Sequence, residues 1–231
     1  MQELWPPIPW NPVAADIVSQ LTPNAPVICY NGAAIYDYHT GEYLWTSPID
    51  PSCKVIIKDI LENCSVANVE INTADGIYTL KDVDYTIQRY EKFSPFFEKT
   101  DSIESVGGPW LKIVVVTKPE DMAALRNRVQ SHPNYKDFQF SQSADFLYEF
   151  LNPNINKGTT LPVLRNILGN EYKVIALGDN ENDIDLLKNA DIGFAVADGS
   201  PMLLEHCKNF TAPLYGHALA DIVEKLDKCL I

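Results

Sequence analysis

Val174-Ile175-Ala176-Leu177-Gly178-Asp179-Asn180-Glu181-Asn182-Asp183 is the stretch on which the reading of this chain turns. Its short apolar run has the pattern of a strand buried on both faces, as in parallel sheets. The strand delivers Asp179 at its C-terminal end, where open α/β sheets bind ligands. Gly178 permits close backbone approach. Asp183 follows four residues later, at the start of a helix, so one loop can fold both carboxylates toward a single point. Hard oxygen ligands so placed suit Mg2+, which takes one or two carboxylates together with phosphate and water. Asn182 adds a donor at a helix N-terminus, a position that favours anions. The same spacing also fits a plain acidic turn in which Asp183 caps the helix.

Working outward, Asn154-Ile155-Asn156-Lys157-Gly158-Thr159-Thr160-Leu161 opens a helix over 157–168 just before that strand. A cation at a helix N-terminus opposes the dipole and calls for a compensating anion. The alternative is a solvated surface lysine. Downstream, a helix over 183–189, a strand over 192–196, a helix capped by Ser200-Pro201, a strand over 209–211 and a final helix over 218–230 alternate in the manner of a parallel sheet with helices on both faces. Upstream the grammar differs. Asn11-Pro12 opens a helix, and Pro26 to Tyr30 and Ala33 to Tyr36 are strands around Asn31-Gly32, with a third strand over 42–46. A helix follows Asp50-Pro51, with apolar positions 55, 56, 57, 60, 61 and 64. Residues 66–73 and 77–80 form a hairpin, and 81–109 form a long connection with a short helix near 85–90. A strand over 112–117, a capping box at Thr117–Glu120 with a helix to Val129, and two antiparallel strands over 138–140 and 146–151 complete the set.

The fold class expected is therefore α/β, with residues 1–40 and 152–231 forming one core and 41–151 an inserted α+β domain. The 18 basic and 31 acidic side chains leave a net charge of −13, which argues against nucleic acid as a partner. No apolar run approaches the ~18 residues of a membrane helix. Met1 to Trp10 has neither the basic nor the apolar region of a signal peptide. Cys29, Cys53, Cys64, Cys207 and Cys229 are odd in number and show no Cys-x-x-Cys spacing, so free thiols in the cytoplasm are expected. His39, His132, His206 and His217 are scattered. The aromatic residues between 85 and 97 suit either a substrate cavity or plain core.

These motifs resemble those of the Cof-type phosphatases of the haloacid dehalogenase (HAD) superfamily. Asn156 to Leu161 is similar to the family's Lys-Gly-x-x-Leu motif, and Gly178 to Asp183 to its Gly-Asp-x-x-Asn-Asp motif. Ile184 to Ala190 and Ile192 to Ala197 resemble its continuation, and Pro26 to Ala33 its strand ending in Asn-Gly-Ala. The resemblance implies a Rossmannoid core with an inserted cap, Mg2+ as cofactor and a small phosphorylated metabolite, often a sugar phosphate, as substrate. It implies that Lys157 holds the phosphate and the nucleophile, that Asn182 contacts phosphate, that Asn31 belongs to the phosphate- and substrate-binding set, that Asp179 ligates the metal and that Asp183 supports it through water. The chemistry it implies is phosphomonoester hydrolysis through an aspartyl-phosphate.

One part of that pattern is not found. The family's nucleophile lies in Asp-x-Asp-Gly-Thr, followed by Thr-Gly-Arg-Pro, both before the Asn-Gly-Ala strand. Pro9 matches the last Pro, but Pro6-Pro7-Ile8 supplies no hydroxyl, and the first motif has no counterpart. Asp82-Val83-Asp84-Tyr85-Thr86 has related spacing but lies in the inserted domain, out of order. The chain thus reads as a core whose first strands are missing, inactive as written. An open sheet edge invites pairing between two copies, with Trp5 and Trp10 covering part of the gap. The alternative is a degenerate, non-catalytic HAD-like binding or assembly protein.

Overall fold

Alternation of apolar and polar residues builds the largest sheet of this computed structural model, which describes residues 23–80 and 97–228. The expected helix over 11–21, the helix near 85–90, the Asp82–Thr86 stretch, Trp5, Trp10 and Cys229 lie outside the described residues. The chain forms two units, divided between Ile155 and Asn156.

In the first unit, β1 (Val27–Cys29), β2 (Ala34–Asp37) and β3 (Glu42–Thr46) make an antiparallel sheet in that order. A 3-10 turn, Tyr30–Gly32, joins β1 to β2. A six-stranded sheet follows. It uses β4 (Asn68–Thr73), β5 (Ile77–Thr79), β6 (Phe97–Lys99), β7 (Trp110–Val116), β8 (Gln139–Ala144) and β9 (Leu147–Leu151), in the order β6-β5-β4-β7-β9-β8. Every pairing is antiparallel except the parallel β5–β6 pair. β6 corrects the expected unstructured connection. Its three residues are too few to carry a readable pattern and depend on an edge already provided by β5.

Helices α1 (Cys53–Asn63) and α2 (Met122–Ser131) cover one face of this sheet. The helical period puts Cys53, Ile56, Ile57 and Ile60 of α1 and Met122, Leu125 and Val129 of α2 inward. They pack on Val69, Ile71, Ile113, Val115, Tyr148 and Phe150. Burying each large side chain contributes about 1.5–3 kcal/mol. Val55, counted in the apolar stripe, lies outside it and is 55% exposed. The capping box at Thr117 does not form. Thr117 Oγ1 donates to the Ser65 carbonyl at 2.7 Å, and a 3-10 turn, Pro119–Asp121, leads into α2 with no side-chain cap. A long-range bond has displaced a local one. The opposite face of the sheet carries buried Asn68, Glu70, Asn72 and Glu149 beside Val114, Val116 and Leu147.

The second unit is an α/β segment. In chain order it comprises α3 (Lys157–Leu168), β10 (Ile175–Gly178), α4 (Ile184–Asn189), β11 (Ile192–Val196), α5 (Pro201–His206), β12 (Asn209–Thr211) and α6 (Ala218–Asp227). The three strands are parallel, in the order β10-β11-β12. Ser200 caps α5 by accepting from the Leu203 N–H at 3.3 Å, as its sequence predicts. Among the described residues no helix is long and apolar enough to cross a membrane.

Phe150 is fully buried and meets Phe140 edge to face at 4.6 Å between centroids. Phe150→Ala is expected to cost about 3–5 kcal/mol in urea unfolding. Val55→Ala is expected to stay within about 0.5 kcal/mol, as exposed positions usually do.

Candidate active site

Three of the residues singled out in the sequence converge at the end of β10. Asn156 caps α3 with a full capping box. Its Oδ1 accepts from the Thr159 N–H at 2.9 Å, and its own N–H donates to Thr159 Oγ1 at 2.9 Å. This fixes Lys157 as the first helical residue. The anion that its position demands is Asp183, whose Oδ1 accepts from Lys157 Nζ at 2.6 Å. The Lys157 side chain is 31% exposed and that of Asp183 only 5%.

Asp183 does not cap α4, to which its side chain makes no cap hydrogen bond, and closes the turn before that helix instead. Its Oδ2 accepts from the Asp179 N–H at 3.1 Å and lies 3.5 Å from the Asn180 nitrogen. It therefore caps the 3-10 turn Glu181–Asp183 while its other oxygen binds the lysine. The loop closes because two glycines leave room. A Cβ on Gly178 would stand 2.5 Å from the Asp183 Cβ, and a Cβ on Gly158 would collide with the Asp185 carbonyl group. Asn156 Nδ2 also donates to Asp185 Oδ2 at 2.7 Å, clamping α3 to α4.

Asp179 leaves the strand with its carbonyl held by the Ser200 N–H at 2.9 Å. Desolvation lifts its carboxyl above the ordinary carboxylate range. The hydrogen bond and negative charge of Asp183 add to this, and the Lys157 charge partly offsets it. Asn182 is exposed in the 3-10 turn, and its side chain makes no hydrogen bond among the described residues. The helix it precedes, α4, has six residues.

Asn31 belongs to the other unit. It stands in a left-handed conformation (φ 54°) between Tyr30 (φ 51°) and Gly32 (φ 112°). Its Nδ2 donates to Glu149 Oε2 at 2.5 Å, and Glu149 Oε1 accepts from Lys112 Nζ at 3.2 Å and Ser143 Oγ at 2.9 Å. Sequence reading passed over Glu149. A charged residue at an inward position of an apolar strand was its only signal.

As a magnesium site the C-terminal donor set is half complete. Asp179 offers a carboxylate, while both Asp183 oxygens already serve Lys157 and the turn. Among the described residues no three His, Cys, Asp or Glu side chains gather to hold a metal. Asp179 as direct ligand with Asp183 behind it fits Mg2+, which keeps several waters and takes its remaining contacts from phosphate.

Lys157→Met leaves the buried Asp183 carboxylate short of a donor and is expected to cost about 1–3 kcal/mol in urea unfolding. Asp179→Asn tests the perturbed carboxyl. A carboxyl raised by folding stabilises the fold while protonated, and ionisation removes that contribution as pH rises through the raised value. Asp179→Asn is therefore expected to raise the thermal midpoint at pH 7. The gain should shrink as pH falls toward the ordinary value of 3.8. An unchanged midpoint at pH 7 would contradict it.

A family model described as haloacid dehalogenase-like hydrolase matches residues 12–223. The 5-amino-6-(5-phospho-D-ribitylamino)uracil phosphatase YitU of Bacillus subtilis is 24% identical over 198 residues, covering 84% of this chain and 73% of the relative. A haloacid dehalogenase-like hydrolase from Bacteroides thetaiotaomicron superposes with a TM-score of 0.80 at 16% identity, covering 94% and 83% of the two chains. The HAD subclass IIB sugar phosphatase BT4131 superposes with a TM-score of 0.75 at 13% identity, covering 92% and 79%. Family model, fold and strand-end constellation agree: this chain belongs to the haloacid dehalogenase-like hydrolase family, with the Cof-type motifs read from its sequence.

Proposed function

We propose that the C-terminal unit is the phosphate- and metal-holding half of a Mg2+-dependent HAD phosphatase site for small phosphorylated metabolites of sugar-phosphate type, working in the cytoplasm. The observation that carries this is the Lys157–Asp183 pair set beside Asp179 at the end of a parallel strand. The relatives' names support the substrate class, since one is a phosphatase of a phosphoribityl compound and another a sugar phosphatase. In this reading residues 1–40 and 152–231 form the catalytic core and 41–151 the cap.

Lys157 presents an ammonium to a phosphate oxygen, with Asp183 holding its Nζ in place. Asn182 has an exposed amide to donate to phosphate, and Asn31 faces substrate. Asp179 would ligate Mg2+ and Asp183 would reach it through water. The ion, when bound, neutralises phosphoryl charge. Hydrolysis through an aspartyl-phosphate needs a carboxylate to attack phosphorus and a second to protonate the leaving group. The 231 residues contain no Asp-x-Asp-Gly-Thr to supply them. One observation favours the second reading, a non-catalytic HAD-like binding or assembly protein. Both Asp183 oxygens are satisfied within the fold, so the pair stands without a ligand.

The 231-residue polypeptide with Mg2+ is expected to turn over p-nitrophenyl phosphate at the buffer rate, and turnover well above it would overturn the assignment of inactivity. Mg2+ together with inorganic phosphate is expected to raise the thermal midpoint of the wild type and not of Lys157→Met. If both proteins respond alike, the second reading stands instead.

A further inference from the structure

We infer that Glu149 is a positioning residue: its carboxylate sets the Asn31 amide so that Asn31 meets a ligand hydroxyl instead of phosphate. The inference rests on the reading of Asn31 as a substrate-facing residue. It starts from an arrangement no motif announces. Glu149 is 4% exposed, in the middle of β9, on the face of the six-stranded sheet opposite α1 and α2. Its two oxygens are divided. Oε1 takes the Lys112 ammonium and the Ser143 hydroxyl, and Oε2 takes Asn31 Nδ2.

A carboxylate accepts hydrogen bonds and does not donate them. The atom Asn31 turns toward Glu149 must therefore be its nitrogen, because the flipped amide would set one acceptor against another. Lys112 and Ser143 hold the carboxylate from its other oxygen, so it cannot swing away to release the amide. The backbone is equally constrained. Tyr30, Asn31 and Gly32 all have positive φ, a run that L-residues avoid and that persists only when the surroundings over-determine it. Tyr30 is 7% exposed, and its hydroxyl lies 3.2 Å from that of Tyr43. The Ala33 N–H donates to the Tyr30 carbonyl at 3.1 Å.

The chemical consequence lies at the other end of the amide. With one N–H committed to Glu149, Asn31 keeps its Oδ1 and one N–H. Among the described residues Oδ1 accepts no hydrogen bond. A hydroxyl can donate to Oδ1 and accept from the remaining N–H. Ionised phosphate oxygens only accept, so they would use the N–H and be repelled by Oδ1. Asn31 is therefore matched to the hydroxyl-bearing end of a substrate. Within a phosphate- and substrate-binding role, this gives Asn31 the neutral part of the molecule.

The test uses the 15N-labelled full chain and reads the Asn31 side-chain amide pair, identified by its loss in Asn31→Ser. One proton is expected well downfield, exchanging with water at least ~10-fold more slowly than in Glu149→Gln, as a buried charge-assisted bond requires. Should Glu149→Gln not fold, Ser143→Ala, which removes one donor from the carboxylate, is expected to speed the same exchange. Sorbitol, as a neutral polyol, is expected to move the Asn31 pair, and sulfate, a tetrahedral dianion with no proton to donate at neutral pH, to leave it in place. The inference is overturned if the pair is unchanged in Glu149→Gln, or unchanged in Ser143→Ala where that variant stands in. It is also overturned if sulfate moves the pair, or if sorbitol does not. Activity and Mg2+–phosphate measurements bear on Lys157 and Asp179, so failure of the phosphatase reading and failure of this one are separable.

Discussion

The C-terminal unit depends on one nearly buried carboxylate. Asp183 accepts from Lys157 and from the backbone N–H that closes its turn, and it divides its oxygens between the two. Placing Lys157 at the start of α3 sets its charge against the helix dipole, and Asp183 offsets that cost. Burying Asp183 without the lysine is the larger of the two costs. Each charge makes the other's position tenable. Gly158 and Gly178 are required because the helix and the strand end must approach closely enough for the pair to form.

The N-terminal unit repeats the logic with different residues. Its six-stranded sheet has one face buried under α1 and α2, which takes Val69, Ile71, Ile113, Val115, Tyr148 and Phe150 from the central strands. The polar side is left to carry Glu149, Lys112 and Ser143, and a buried charge must be fully partnered to be tolerated. Asn31 completes that set from the turn after β1. A strained turn and a buried ion pair thus constrain each other.

The elements around the motifs were legible because each carries its own local signal. The Asn156 cap, the apolar β10 and the Ser200-Pro201 start of α5 satisfy nearest-neighbour rules, and α3 spans residues 157–168 as its pattern predicts. Signals that depend on distant partners misled. Thr117 has the spacing of a capping box, yet its hydroxyl serves Ser65, 52 residues away. β6 exists because β5 offers an edge, and Val55 fits an apolar stripe whose centre lies at Ile56, Ile57 and Ile60.

The α/β grammar, the family and the candidate residues Lys157, Asp179, Asn182 and Asp183 are legible from local sequence alone. Strand ends, caps and glycines act over a few residues, and their spacing survives in one dimension. The three-dimensional structure sets how those residues are employed. It showed that Asp183 spends both oxygens inside the fold, that Asp179 is left as the perturbed carboxyl, and that Asn31 is tied to Glu149 across 118 residues of sequence. Hydrogen-bond direction and desolvation depend on which groups meet in space, and no local pattern records those meetings.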